Sequence, residues 1–200
     1  MSQGTLGNQM NITVGNLCDQ SGINSVINGF LKLRKQVFIE KMDWELISQD
    51  QIEYEQYDMI TTTYVIAHEQ GEVVGGARLV RTDTILPTTF GRTHYSYMIR
   101  DAYLGLLSGL PKELCYDEPP RDPKIWELTR FVVTDGARVG AAILEKVNEY
   151  LKEQGADSCL FLGPPAFMRM SKSMGYQPKP MGKIVANESG RFLAFSCDVV

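Results

Sequence analysis

The chain has 200 residues, 44% of them hydrophobic and 22% charged, which suits one soluble globular domain spanning residues 1–200 and excludes a disordered or fibrous class. A net charge of −4 and a pI near 5.3 argue against a nucleic-acid binder. With no apolar run near the roughly 18 residues of a membrane span and no basic, apolar leader in MSQGTLGNQMNITVGN, a cytoplasmic protein is expected.

In chain order, residues 1–20 are expected to be partly flexible around a short strand, Ile12 to Val14. Val26, Ile27, Phe30, Leu33, Val37 and Phe38 then recur at three- and four-residue spacing, which predicts an amphipathic helix ending near Lys41. An acidic segment follows. Glu40, Asp43, Glu45, Asp50, Glu53, Glu55 and Asp58 oppose a single base, Lys41, and the segment reads as a structured loop with short helical turns. Trp44 lies inside it, and a ring flanked by carboxylates suits an ammonium or sulfonium group. A solvated acidic loop with one anchoring ring is the plainer reading of that run alone.

Tyr64 to Glu69 and Val73 to Val80 flank Gln70-Gly71 as a hairpin. A proline-punctuated middle holds one helix near Tyr95 to Leu107, and Ile125 to Val133 (IWELTRFVV) reads as a strand. Val139, Ile143, Val147, Tyr150 and Leu151 share one helical face between Arg138 and Gln154, with Gly155 closing it. Cys159 to Leu162 is a short buried strand, Pro164-Pro165 opens a helix over Ala166 to Met174, and residues 187–190 turn a last hairpin. Hairpins early and strand–helix alternation late predict an α/β fold, a mixed sheet with helices on both faces. Cys18, Cys115, Cys159 and Cys197 form no CxxC pair, so neither a metal site nor a disulfide framework is expected, and Cys159 and Cys197 read as buried small hydrophobes.

Glu127 and Arg130 stand three apart in IWELTRFVV. Side chains alternate along a strand, so the two face opposite sides unless a bulge intervenes. A glutamate in an apolar strand is costly to bury without a partner or a purpose.

Arg34, Phe38, Trp44, Glu55, Asp58, Arg78, Glu127 and Arg130, with the surrounding words GGARL and WELTRF, follow the order and spacing of the invariant positions of the acyl-homoserine lactone synthases. The resemblance is densest over 31–82 and 126–133, and Glu55 stands where that family typically carries aspartate. It implies a fold like that of the GNAT acetyltransferases and an enzyme that joins an acyl thioester to S-adenosylmethionine. The amine attacks the thioester, and the carboxylate then displaces methylthioadenosine (MTA) to close the lactone. Under that resemblance Glu127 is the catalytic base, with Glu55 the runner-up. Arg34, Phe38, Trp44, Asp58 and Arg130 bind S-adenosylmethionine, while Asp58 and Arg78 brace the site. S-adenosylmethionine is a substrate, and no metal or other cofactor is implied.

The acyl donor is acyl carrier protein or acyl-coenzyme A. The junction VTDGARVGAA lacks the [RQ]xxGx[GA] spacing that cradles a pyrophosphate, which favours the carrier protein. Arg169, Lys172, Lys179 and Lys183, with Arg191, against one acid, Glu188, offer it a docking face, or a solvated basic surface. Phe161, Phe167, Met168 and Met170 are candidate acyl-pocket residues, or plain core. Phe161 falls where relatives selecting 3-oxo chains often carry threonine, so an unsubstituted, branched or aryl acyl group is expected. The competing readings are an N-acetyltransferase acting on a small amine or protein N-terminus, and a non-catalytic module that binds S-adenosylmethionine or acyl groups.

Overall fold

The structure, a computed structural model, describes residues 10–19, 22–134 and 136–200. Its centre is an eight-stranded sheet in the order β1-β4-β5-β8-β9-β12-β10, with β11 on β12. These strands are β1 (Met10–Gly15), β4 (Thr63–Glu69), β5 (Glu72–Arg81), β8 (Ile125–Val133), β9 (Ser158–Gly163), β10 (Lys179–Pro180), β11 (Val185–Asn187) and β12 (Gly190–Asp198). All neighbours are antiparallel except β8 and β9. Antiparallel strands can be joined by tight turns, whereas the parallel pair needs a crossover. Helix α3 (Gly136–Glu153) supplies it. The strand predicted over Ile125 to Val133 has those bounds, and β1 covers the strand expected at Ile12 to Val14. The remainder of the flexibility expected over residues 1–20 concerns positions 1–9 and 20, which lie outside the described residues.

Two apolar layers sandwich the sheet. Val65, Ala67, Ala77, Leu79, Trp126 and Leu128 pack under Val139, Ile143 and Val147 of α3, together with Phe167 of α4 (Pro165–Ser173). On the other face, Ile27 and Phe30 of α1 (Asn24–Arg34) meet Tyr64, Ile66 and Val132. Ile99 and Ala102 of α2 (Met98–Tyr103) pack near Val80 and Leu160. Gly75 and Gly76 let both layers close on β5. A Cβ on Gly76 would come within 2.7 Å of the Phe30 ring, and one on Gly75 within 2.9 Å of the Val132 carbonyl and 3.0 Å of Ile143. Cys159 and Cys197 face each other across β9 and β12, buried in the core.

Four elements differ from the sequence reading. The first helix is α-helical only to Arg34, and Lys35–Lys41 continues as a π-helix, a widened turn that periodicity does not reveal. Past Lys41 the acidic segment contains hydrogen-bonded turns, one closed by the Asp58 amide donating to the Glu55 carbonyl at 2.9 Å, but no helix. It folds as a small hairpin of β2 (Ser48–Gln49) and β3 (Ile52–Glu53), turned at Asp50 with φ of 54°. The middle helix spans only Met98–Tyr103 and is followed by Gly105 at φ of 74°. Before it lies an unpredicted hairpin of β6 (Ile85–Thr88) and β7 (Gly91–His94).

Candidate active site

Glu127 and Arg130 reach the same face because β8 is bulged. Thr129 pairs with Arg78 and Val132 with Gly76, so Ala77 is opposed by two residues, Arg130 and Phe131. Arg130 takes up the extra residue with φ of 53°, a left-handed conformation that costs about 1 kcal/mol or more for a side-chain-bearing residue. The bulge turns Glu127, Thr129 and Arg130 toward α1 and α2, while Leu128 and Phe131 point at α3.

On that face three arginines meet three acids. Arg34 donates from Nη1 and Nη2 to the two oxygens of Asp58, at 2.7 and 2.9 Å, and from Nε to Glu53. Arg78 contacts Asp58 at 3.2 Å and Glu55 at 2.7 Å, and donates to the Thr129 hydroxyl. Arg130 contacts Glu55 at 2.8 Å and Glu53 at 3.2 Å. The Tyr64 hydroxyl and the Glu55 amide also donate to Asp58. Formal charges cancel, as a buried ionic cluster requires. Arg78, Arg34 and the Glu55 amide hold the Asp58 carboxyl well below the usual carboxylate range against the opposing effect of burial, the largest single influence. Glu40, Asp43, Glu45 and Asp50 are exposed, so the acidic run divides between a solvated half and a buried half.

Arg34, Asp58 and Arg78 have no appreciable exposure. Among the network acids, Glu55 alone keeps a partly open side chain, at 13%. The aromatic pair borders this edge. Phe38 stacks on Trp44, with centroids 5.0 Å apart and planes at 10°, and the Arg130 guanidinium lies 5.7 Å from the Phe38 ring centre. Trp44 is tied to the β11–β12 turn: its Nε1 donates to the Ser189 carbonyl at 3.0 Å, and Phe192 packs edge-on against it.

Glu127 is fully buried beneath α2. Its Oε1 accepts from the Ile99 amide at 2.7 Å and its Oε2 from the Met98 amide at 3.2 Å. Burial raises its pKa to about 7 in spite of these two donors and Arg78, and Glu55 adds to the rise. A carboxylate oxygen has a second lone pair, so both oxygens can still accept a further proton or hydrogen bond.

Beside this site β8 and β9 pair only from Ile125 opposite Ser158 to Leu128 opposite Phe161, although both strands run on. Phe131, Phe161, Phe167 and Phe195 interlock on the α3/α4 side of this opening: Phe131 stacks on Phe167 at 4.7 Å and Phe161 on Phe195 at 4.9 Å. A cavity of about 20 Å³ lies beyond Phe161, lined by Leu144, Val147, Cys159 and Cys197 among others. Met168 and Met170 are half-buried against the same core. Arg169, Lys172, Lys179 and Lys183 are exposed, but Lys179 is paired with Asp198 at 2.7 Å, a partner beyond the stretch over which the basic excess was counted.

The sequence reading missed Glu53 as a site residue, along with Tyr64 and Thr129. Glu53 and Glu55 are two apart, the spacing at which extended side chains share a face, and that was the available signal. Among the described residues no cluster of His, Cys, Asp and Glu is arranged to hold a metal, and no helix is long and apolar enough to cross a membrane.

The autoinducer synthase family profile matches residues 20–175. The chain belongs to that family. An acyl-homoserine-lactone synthase of Acinetobacter nosocomialis is 28% identical over 183 residues, which cover 85% of this chain and 90% of that protein. TofI, solved in a ternary complex with an inhibitor and MTA, superposes with a TM-score of 0.74 at 25% identity, over 96% of this chain and 91% of TofI. BjaI, a CoA-dependent acyl-homoserine lactone synthase solved with SAM and isopentyl-CoA, shares the fold at a TM-score of 0.76 and 23% identity, over 96% of this chain and 84% of BjaI. The mixed sheet is also like that of an N-acetyltransferase-like protein from Lactobacillus plantarum, at a TM-score of 0.59 and 15% identity over 96% of this chain and all of the other.

Proposed function

We propose that this acyl-homoserine-lactone synthase transfers an acyl group from a thioester to the amine of S-adenosylmethionine, whose carboxylate then displaces MTA to close the lactone. The observation that carries the reading is Glu127, a fully buried carboxyl whose pKa lies near 7, beside the opening between β8 and β9. A base with such a pKa is half-ionised at neutral pH and takes up a proton readily. It removes the proton of the substrate ammonium, through a water, so that the neutral amine attacks the thioester carbonyl. The amide forms as the C–S bond breaks and the thiol leaves. The sulfonium is its own leaving group in the second step, so the chemistry needs no metal or redox cofactor.

Arg34, Asp58 and Arg78 act as the rigid frame, since their polar atoms are spent on one another. Phe38, Trp44, Glu55 and Arg130 shape the S-adenosylmethionine pocket at the partly open edge. Its cationic groups are drawn there by Glu55 and the ring faces. If Glu127 proves dispensable, Glu55 is the alternative base. The acyl chain lies against Phe161, Phe167, Met168 and Met170, the aromatic and thioether surface next to the β8–β9 opening. The missing pyrophosphate spacing favours acyl carrier protein as donor, docking on Arg169, Lys172 and Lys183, with Lys179 held by Asp198. The MTA in TofI and the SAM and isopentyl-CoA in BjaI support the substrate classes.

The test is to incubate the purified protein with S-adenosylmethionine and an acyl thioester, on carrier protein and on coenzyme A, and to measure MTA and free thiol. Both are expected. Free thiol without MTA would mark simple acyl transfer, and neither product with any donor would leave a binding module.

A further inference from the structure

Helix α2 has six residues, too few to be stable by itself, and its N-cap residue, Tyr97, makes no capping bond with its own side chain. Its first two amides are both committed to Glu127. Its placement must therefore come from its other tethers. On the solvent side, Arg100 donates to the Pro119 carbonyl at 2.6 Å and the Tyr97 hydroxyl to the Pro120 carbonyl. On the buried side, among the described residues, the Tyr57 hydroxyl donates to Asp101 Oδ2 at 2.6 Å, and Arg130 Nη1 makes a longer, weaker contact of 4.0 Å to Met98 Sδ.

Tyr57 is well placed to hold it. The residue immediately precedes Asp58, the Arg78 guanidinium lies 5.4 Å from its ring centre, and its carbonyl accepts from the Thr62 hydroxyl at 2.7 Å. It is 2% exposed. Asp101 Oδ1 is buried with no hydrogen-bond partner among the described residues. The Tyr57 bond thus carries the Asp101 carboxylate, and losing it would leave both oxygens unpaired.

We propose that Tyr57 and Asp101 are a positioning pair that couples the ionic network to α2, holding the Met98 and Ile99 amides on Glu127. The proposal rests on Glu127 being the base in the reaction above. It assigns neither residue to contact with substrate. The charged or titratable groups around Glu127 are Arg78 on β5, Glu55 before Asp58, Tyr57 itself, Tyr97 at the start of α2, Cys115, and Cys159 on β9. Burial pushes the hydroxyls and thiols far above neutrality, the Cys115 thiol to about 12. Over pH 5–9 the carboxyl of Glu127 is therefore set by its burial, the two amides, Arg78 and Glu55.

Amide donors favour the ionised carboxylate, so loosening α2 raises the pKa of Glu127 and moves the acid limb of the rate profile upward. Tyr57→Phe keeps the ring against Arg78 and removes only the hydroxyl. It is expected to move the limb of MTA release by about one pH unit, so that the rate falls about tenfold below the limb and stays near wild type above pH 8.5. Asp101→Ala should behave alike, whereas Asp101→Asn, whose carbonyl still accepts from Tyr57, should keep the wild-type profile.

Hydrogen exchange gives a second readout. The Met98 and Ile99 amides should exchange faster in Y57F and D101A, with the β4–β5 amides unchanged. An unmoved limb with unchanged exchange in Y57F would overturn the proposal, as would D101N shifting the limb as far as D101A. If Y57F does not fold, the D101A and D101N pair makes the same comparison. A wild-type protein releasing no MTA with any donor would refute the proposed function instead, and the exchange comparison would still decide the tether.

Discussion

Asp58→Asn removes one charge from the buried cluster and leaves its shape almost unchanged. The wild-type carboxylate receives both terminal nitrogens of Arg34, one of Arg78, the Tyr64 hydroxyl and the Glu55 amide. Three arginines then face two carboxylates in a site largely buried from solvent, and the asparagine NH₂ group points donors at donors. Breaking one side of a buried ion cluster costs about 3–5 kcal/mol, a large share of the 5–15 kcal/mol that holds a typical domain. The pH dependence separates this cause from a packing defect. Because the folded-state pKa of Asp58 is depressed, its stabilisation is fully present above the unfolded value of about 3.9 and is lost as pH falls below it. Urea unfolding of wild type and variant should therefore differ by about 3–5 kcal/mol at pH 7, with the gap narrowing below about pH 4. A gap under about 1 kcal/mol at pH 7, or one that does not narrow in acid, would refute the reasoning.

Glu127→Gln should lower MTA release by about 100-fold or more with the fold retained; unchanged turnover would transfer the role to Glu55. The same variant should gain stability relative to wild type as pH rises from 4.5 to 8. The rise from 4.5 to about 7 means that ionised Glu127 costs up to about 3 kcal/mol. That cost is absent below pH 4.5 and grows until about pH 7, which thermal melts at pH 4.5 and 8 would detect. Gly76→Ala should destabilise by about 1–3 kcal/mol in urea unfolding, since its methyl meets the Phe30 ring and a β4 carbonyl; a neutral result would show that α1 is free to move outward. Wild type should prefer unsubstituted, branched or aryl thioesters over 3-oxo ones, and Phe161→Ala should shift the product profile to longer chains by opening onto the cavity behind it. A dominant 3-oxo product from wild type would sink that expectation, and an unchanged profile in the variant would remove Phe161 from the acyl pocket.

The order of strands and helices was legible in the sequence because periodicity and turn residues are local properties. β8 was expected at its observed bounds, β4–β5 as a hairpin around Gln70-Gly71, and α3 to within two residues at its start. The family was legible as well, because eight spaced residues in two segments carry it. Three things required the tertiary structure. One was the fate of the acidic run: whether a carboxylate is solvated or buried depends on which bases the sheet brings to it, and Arg34, Arg78 and Arg130 come from three separate elements. Another was the π-helical turn at Lys35–Lys41, which shows no break in sequence pattern. The last was the face of Arg130. Alternation alone sets Glu127 and Arg130 back to back, and one extra residue in β8, held at positive φ against Ala77, places both over the same site.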